Sequence, residues 1–166
     1  MQLEINFIDA FTDTLFKGNS AAVIITDNWL NDDLMQSIAL ENNLSETAFL
    51  VADKADTLEE KDQSDKIASY HIRWFSPLTE IDFCGHATLA SAFVLFKKQP
   101  SLITIKFLAK AVGILTVIQA DSGKIQMDFP NNKPEKLDSD SIHESLLAGL
   151  SIAPVEVYRN AQAYFV

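Results

Sequence analysis

A chain of 166 residues in which 23 Asp and Glu outweigh 13 Lys and Arg carries a formal charge of −10. A surface of that sign repels the phosphates of nucleic acid and of anionic lipid headgroups, so no nucleic-acid or membrane partner is expected and small molecules or other proteins remain. With 48% hydrophobic residues, eleven Phe and only five each of Gly and Pro, the composition is that of a globular chain with ample core and not of a disordered one.

In chain order, residues 3–11 alternate apolar and polar side chains and residues 21–26 form a β-rich run, which predicts two strands joined through a Gly18-Asn19 turn. Residues 31–43 place Leu34, Met35, Ile38 and Ala39 on one helical face. They open on Asn31 as an N-cap, with Asp32 and Asp33 where the helix dipole favours anions. A strand over residues 47–51 follows. Residues 53–66 hold six acids and three lysines with little apolar content and read as a solvated loop. Residues 67–75 form a strand with Tyr70, Ile72 and Trp74 on one face. Residues 86–97 form a helix that is apolar almost all round, as a helix enclosed by other elements is. Strands over residues 102–108, 114–119 and 124–129 come next, the last two joined through Asp121-Ser122-Gly123.

Strands on both sides of one buried helix predict an α+β architecture in which a curved sheet wraps that helix. Residues 131–140 are polar and contain proline, a linker that closes a domain over residues 1–130. Residues 141–150 then read as a helix and residues 155–158 and 163–166 as strands, the opening of a second domain over residues 141–166. The single cysteine, Cys84, excludes an intramolecular disulfide, and the opening MQLEINFIDAF lacks a signal-peptide pattern. A cytoplasmic location is the expectation. No apolar run approaches the roughly 20 residues that span a bilayer.

Two junctions gather reactive groups. At the helix-to-strand junction Leu44-Ser45-Glu46-Thr47, Glu46 sits among apolar neighbours, the partly desolvated setting that suits a general acid–base. In Asp82-Phe83-Cys84-Gly85-His86-Ala87-Thr88, the N-terminus of the buried helix offers backbone N–H groups to an anion, and Gly85 lets a ligand approach the main chain. A small carboxylate is the expected substrate, with His86 as the second candidate residue. Cys84 reads either as a small buried hydrophobe or as a thiol whose pKa the helix N-terminus lowers. Arg73, within an aromatic strand, reads as an ion-pair or stacking residue. No Cys or His stands at ligand spacing, so no metal site is indicated. No glycine-rich phosphate loop supports a nucleotide cofactor.

Four strings in order, D-A-F-T-x-x-x-F-x-G-N-S-A-A-V-I (Asp9 to Ile24), E-N-N-L-S-E-T-A-F-L (Glu41 to Leu50), I-R-W-F-S-P-L-T-E-I-D-F-C-G-H-A-T-L-A-S-A (Ile72 to Ala92) and M-D-F-P (Met127 to Pro130), resemble the PhzF, or phenazine-biosynthesis-like, family. The resemblance implies a diaminopimelate-epimerase-like fold: two similar domains, each a barrel-like sheet around a central helix, with the active site in the cleft between them. It implies Glu46 as the acid–base residue and His86 as the residue that positions substrate and proton path. Gly18, Asn19, Ser45, Gly85 and Ala87 then belong to the substrate-binding set. The implied reaction is a cofactor-free isomerisation, of which the best known moves double bonds in a dihydro-hydroxyanthranilate.

Ser20 stands where the family usually has proline, which loosens that loop. Cys84 sits where related epimerases carry a catalytic cysteine, and the second thiol of their two-base mechanism is absent. The family's second half supplies an aspartate-bearing segment and a Gly-Ser segment that complete the cleft, and neither segment is found after Pro130. The chain is therefore expected to carry one wall of the cleft and an incomplete second domain. Two alternatives stand beside the isomerase: a cofactor-independent epimerase or racemase using Cys84, and a non-catalytic half-protein that acts as a binding module or pairs with a second copy as a homodimer.

Overall fold

The computed structural model describes residues 2–53, 66–129, 131–161 and 163–166. Most of the charged stretch over 53–66 lies outside the described residues. The chain divides into two units, Met1–Asp128 and Phe129–Val166.

In the first unit the strands are β1 (Ile5–Ala10), β2 (Asn19–Thr26), β3 (Glu46–Ala52), β4 (Ile67–Phe75), β5 (Glu80–Ile81), β6 (Thr104–Ala109), β7 (Gly113–Gln119) and β8 (Ile125–Met127). They form one sheet in the order β1-β2-β3-β4-β6-β7-β8, with β5 pairing β4. Two neighbour pairs are parallel, β2 with β3 and β4 with β6. Parallel neighbours need a crossover, and the two helices supply it: α1 (Asp32–Asn42) joins β2 to β3, and α2 (Gly85–Lys98) lies between β4 and β6.

Side chains alternate between the two faces of the sheet. Ala21, Val23, Ala48, Leu50, Tyr70, Ile72 and Trp74 pack in one core with Ala87, Ala90 and Leu95 of α2. Ile24, Phe49 and Phe75, from the other face, pack with Met35 and Ala39 of α1. β2 and β3 are covered on both sides, which is why they read as continuous apolar runs. The helix α2 touches β1 and also β8, strands at opposite ends of the sheet order, so the sheet curves around it. This is the curved α+β architecture expected from a helix apolar all round. Its buried hydroxyls are satisfied locally: Thr88 donates to the Cys84 carbonyl at 2.6 Å and Ser91 to the Ala87 carbonyl at 2.7 Å.

At the start of α1, Asn31 accepts from the Leu34 N–H at 2.8 Å, and Asn43 ends the helix with a left-handed φ of 50°. Arg73 clamps this helix to the sheet. Its guanidinium donates to both Glu80 oxygens at 2.6 and 2.7 Å and to Asp32 at 2.8 Å, and lies 5.6 Å from the Trp29 ring and 5.1 Å from that of Phe75. The ion-pair and stacking reading of Arg73 holds. Because the Glu80 side chain is 43% exposed, the fork is screened, and Arg73→Ala is expected to cost about 1–2 kcal/mol in urea unfolding. Arg73→Lys, which keeps charge but loses the fork, should recover less than half of that.

The join between β1 and β2 differs from the expected Gly-Asn turn. Residues 11–18 form a wider loop, with Phe11 and Phe16 at left-handed φ of 66° and 62°. Asp9 organises it by accepting from the Phe16 N–H at 2.9 Å and from the Ser20 hydroxyl. Through that bond Ser20, at the start of β2, is tied to the carboxylate that organises the loop.

The second unit has a three-stranded antiparallel sheet in the order β11-β10-β9, with β9 at Glu135–Lys136, β10 at Tyr158–Arg159 and β11 at Tyr164–Phe165. The helix expected over 141–150 shrinks to α3 (Glu144–Ala148), capped by His143 and ended at Gly149, whose N–H turns back to the Ser145 and Leu146 carbonyls. The strand expected at 155–158 reduces to its last residue because Val155 is 99% exposed and has no face to bury. Among the described residues, no helix is long and apolar enough to cross a membrane.

Candidate active site

Glu46 is the first residue of β3, in register with Ala21 of β2. By the two-residue period of a strand it shares a face with Ala48 and Leu50, the face that packs on α2. His86 occupies the first turn of α2. The parity of β3 and the position of α2 thus bring the two side chains together from 40 residues apart by sequence numbering.

Glu46 Oε2 lies 3.1 Å from His86 Nε2, with the side chains only 18% and 10% exposed. The approach is close but not along the N–H direction, so Glu46 Oε2 is buried without an aligned hydrogen bond. The Ser45 hydroxyl is 3.2 Å from the same His86 nitrogen, 3.3 Å from the Ser20 carbonyl and 3.5 Å from Asn19 Oδ1. On the other side of the ring, Cys84 Sγ is 3.3 Å from His86 Nδ1. The imidazole is therefore held between a carboxylate and a hydroxyl at one nitrogen and a thiol at the other.

Cys84 is the N-cap residue of α2, yet its side chain closes no capping hydrogen bond. Burial pushes its thiol up to about 12, with the nearby Glu46 charge adding to the effect, while the Ala87 and His86 N–H groups facing the sulfur pull the other way. Of the two sequence readings of Cys84, the small buried hydrophobe is the one that fits: the helix N-terminus is present, but desolvation outweighs it.

Of the sequence-derived site residues, Glu46, His86, Cys84, Ser45 and Asn19 come together. Ala87 is fully buried, so only its backbone faces the site. Gly85 opens α2 beside them. Gly18 has a packing reason of its own: a Cβ there would stand 2.4 Å from the Ala10 carbonyl oxygen and 2.6 Å from Thr12 Cγ2. Gly18→Ala is expected to cost about 1–3 kcal/mol by thermal unfolding, because one contact is backbone and the loop must move, carrying Asn19 away from Ser45. Asp9, which holds that loop, was not singled out from sequence, and Ser20 was noted only for replacing a proline; the partners of Asp9 lie 7 and 11 residues away, a separation that no local pattern announces.

The donor atoms of Glu46, Cys84 and His86 all lie within 4.8 Å of one another, a set that can hold a metal ion. Sequence spacing indicated none, because the carboxylate arrives from a different element.

A family profile described as phenazine biosynthesis-like protein matches residues 8–164. The chain belongs to the phenazine biosynthesis-like family. A Pseudomonas aeruginosa relative described as an uncharacterized isomerase is 42% identical over 159 residues, covering 96% of this chain and 55% of that protein. A crystal structure of a PhzF-family protein from Enterococcus faecalis superposes with a TM-score of 0.73 at 40% identity, covering 95% of this chain and 54% of that one. A Pseudomonas aeruginosa structure described as a predicted epimerase shares the fold at 22% identity and a TM-score of 0.60, over 81% of this chain and 45% of that one. The chain spans about half the length of the curated relatives it matches.

Proposed function

We propose that this chain carries the acid–base half of a cofactor-independent isomerase acting on a small carboxylate-bearing metabolite. The observation behind the reading is the Glu46–His86 pair, 3.1 Å apart at the start of α2. The first turn of α2 carries no acidic residue and no side-chain cap, so its dipole favours a substrate carboxylate there, while the His86 and Ala87 N–H groups face the Cys84 sulfur.

In this mechanism Glu46 takes a proton from one substrate carbon and returns it to another, moving the double bond with no net change in atoms or charge. Its buried oxygen without an aligned donor is the acceptor. His86 keeps the carboxylate in place and lends polarity to the proton path, and Ser45, anchored on the Ser20 carbonyl, limits where the imidazole can turn. A racemase that uses Cys84 as base is disfavoured, because a thiol pushed up to about 12 is protonated at neutral pH.

The test is proton exchange. Small cyclic and acyclic carboxylic acids incubated with the chain in deuterated water are followed by NMR for loss of a C–H signal. Exchange that disappears in Glu46→Gln and persists in Cys84→Ala supports the reading. Exchange that survives Glu46→Gln, or is absent for every acid, removes it.

A further inference from the structure

The same cluster has the composition of a metal site. We propose that Glu46, Cys84 and His86 together bind a zinc ion, and that the zinc-bound form is the silenced form of the site.

Thiolate, imidazole and carboxylate are the donor types that select zinc, and three protein ligands with an open fourth position are the pattern of exchangeable zinc sites. In a tetrahedral zinc site such donors stand about 3.5 Å apart. Here they already lie within 4.8 Å of one another, but the thiol faces His86 Nδ1 and the carboxylate Nε2, so seating the ion takes a turn of the imidazole as well as contraction by about an ångström. The charges also balance. One thiolate, one carboxylate and one neutral imidazole cancel a dication, so a net-neutral complex replaces a carboxylate oxygen that is buried without an aligned donor. The Ala87 and His86 N–H groups already face the sulfur, as backbone amides do in stable zinc–thiolate sites.

Binding forms Zn–S, Zn–N and Zn–O bonds, and the one proton displaced, from the Cys84 thiol, leaves to solvent. No electrons move. Because the metal occupies the Glu46 oxygen, that carboxylate can no longer accept a proton from carbon. This last step rests on the acid–base role assigned to Glu46; the binding itself does not, and it is measured without any substrate.

Cobalt(II) is the probe, since a cobalt–thiolate bond gives a near-ultraviolet charge-transfer band and tetrahedral coordination gives visible bands. Titrating the full chain should produce both at one equivalent, with proton release, and zinc should bleach them. Cys84→Ser should lose the charge-transfer band. His86→Gln and Glu46→Gln, each checked for folding by circular dichroism, should weaken zinc binding at least about tenfold in a chelator competition. No charge-transfer band overturns the proposal. So does a band that His86→Gln and Glu46→Gln leave at full strength and affinity, which means capture by the thiol alone.

Discussion

Glu46→Gln should lower the proposed proton exchange by about three orders of magnitude, within the range that a positioned general base contributes, while leaving the fold intact. The substitution is isosteric, Glu46 Oε2 makes no aligned hydrogen bond that could be lost, and the retained amide oxygen can still accept from the Cys84 thiol. A large activity loss with an unfolding midpoint within about 0.5 kcal/mol of the parent separates chemistry from stability. The variant also carries a readout that needs no substrate. The Glu46 charge helps hold the Cys84 thiol up, so removing it should bring the thiol down and make it react faster with iodoacetamide. A variant that loses exchange but leaves thiol reactivity unchanged would mean that the two groups do not interact as the geometry says.

The second large effect concerns Cys84 itself. Its ordinary value of 9.0 rises to about 12 in the folded chain, so the thiolate fraction at pH 8 is about a thousandfold smaller than in the unfolded chain. Alkylation followed by mass spectrometry should be slower by that order in buffer than in urea. Equal rates would show that the sulfur is not desolvated. The same shift makes stability depend on pH with a definite sign. The folded state keeps its proton to higher pH than the unfolded state, so the contribution is whole below about pH 9 and is lost as pH rises toward 12. Urea midpoints should fall over that window, and Cys84→Ala should flatten the fall.

Elements whose signal is local were legible in the residues alone. Asn31 announced the start of α1, the all-round apolar run from Leu89 to Phe96 announced a helix inside a sheet, and the alternation through Tyr70, Ile72 and Trp74 gave the face that packs on it. Glu46 and His86 were named partly from their junctions and partly from the family resemblance. What the residues did not announce depends on distance along the chain. The parallel pairings of β2 with β3 and of β4 with β6 are decided by what α1 and α2 bury, not by the strands' own patterns. For Cys84 the residues left two readings open, a small buried hydrophobe and a thiol lowered by the helix N-terminus, and the burial that decides for the first is not visible in a local pattern. In the second unit the short strands carry too little alternation to fix their ends, and exposed apolar residues such as Val155 and Ile152 imitate it.

Those parallel crossovers also govern when the site comes into being. The Ser45–His86 contact joins residues 41 apart, across a sheet in which β3 pairs with β2 and β4, and α2 lies in the crossover from β4 to its parallel neighbour β6. Loop closure of that length must precede the contacts that reward it, which places such topologies among the slower folders. Exposure of Cys84 to a reagent under native conditions should therefore follow the whole-sheet opening rate, with amide exchange in β3 and α2 tracking it residue for residue.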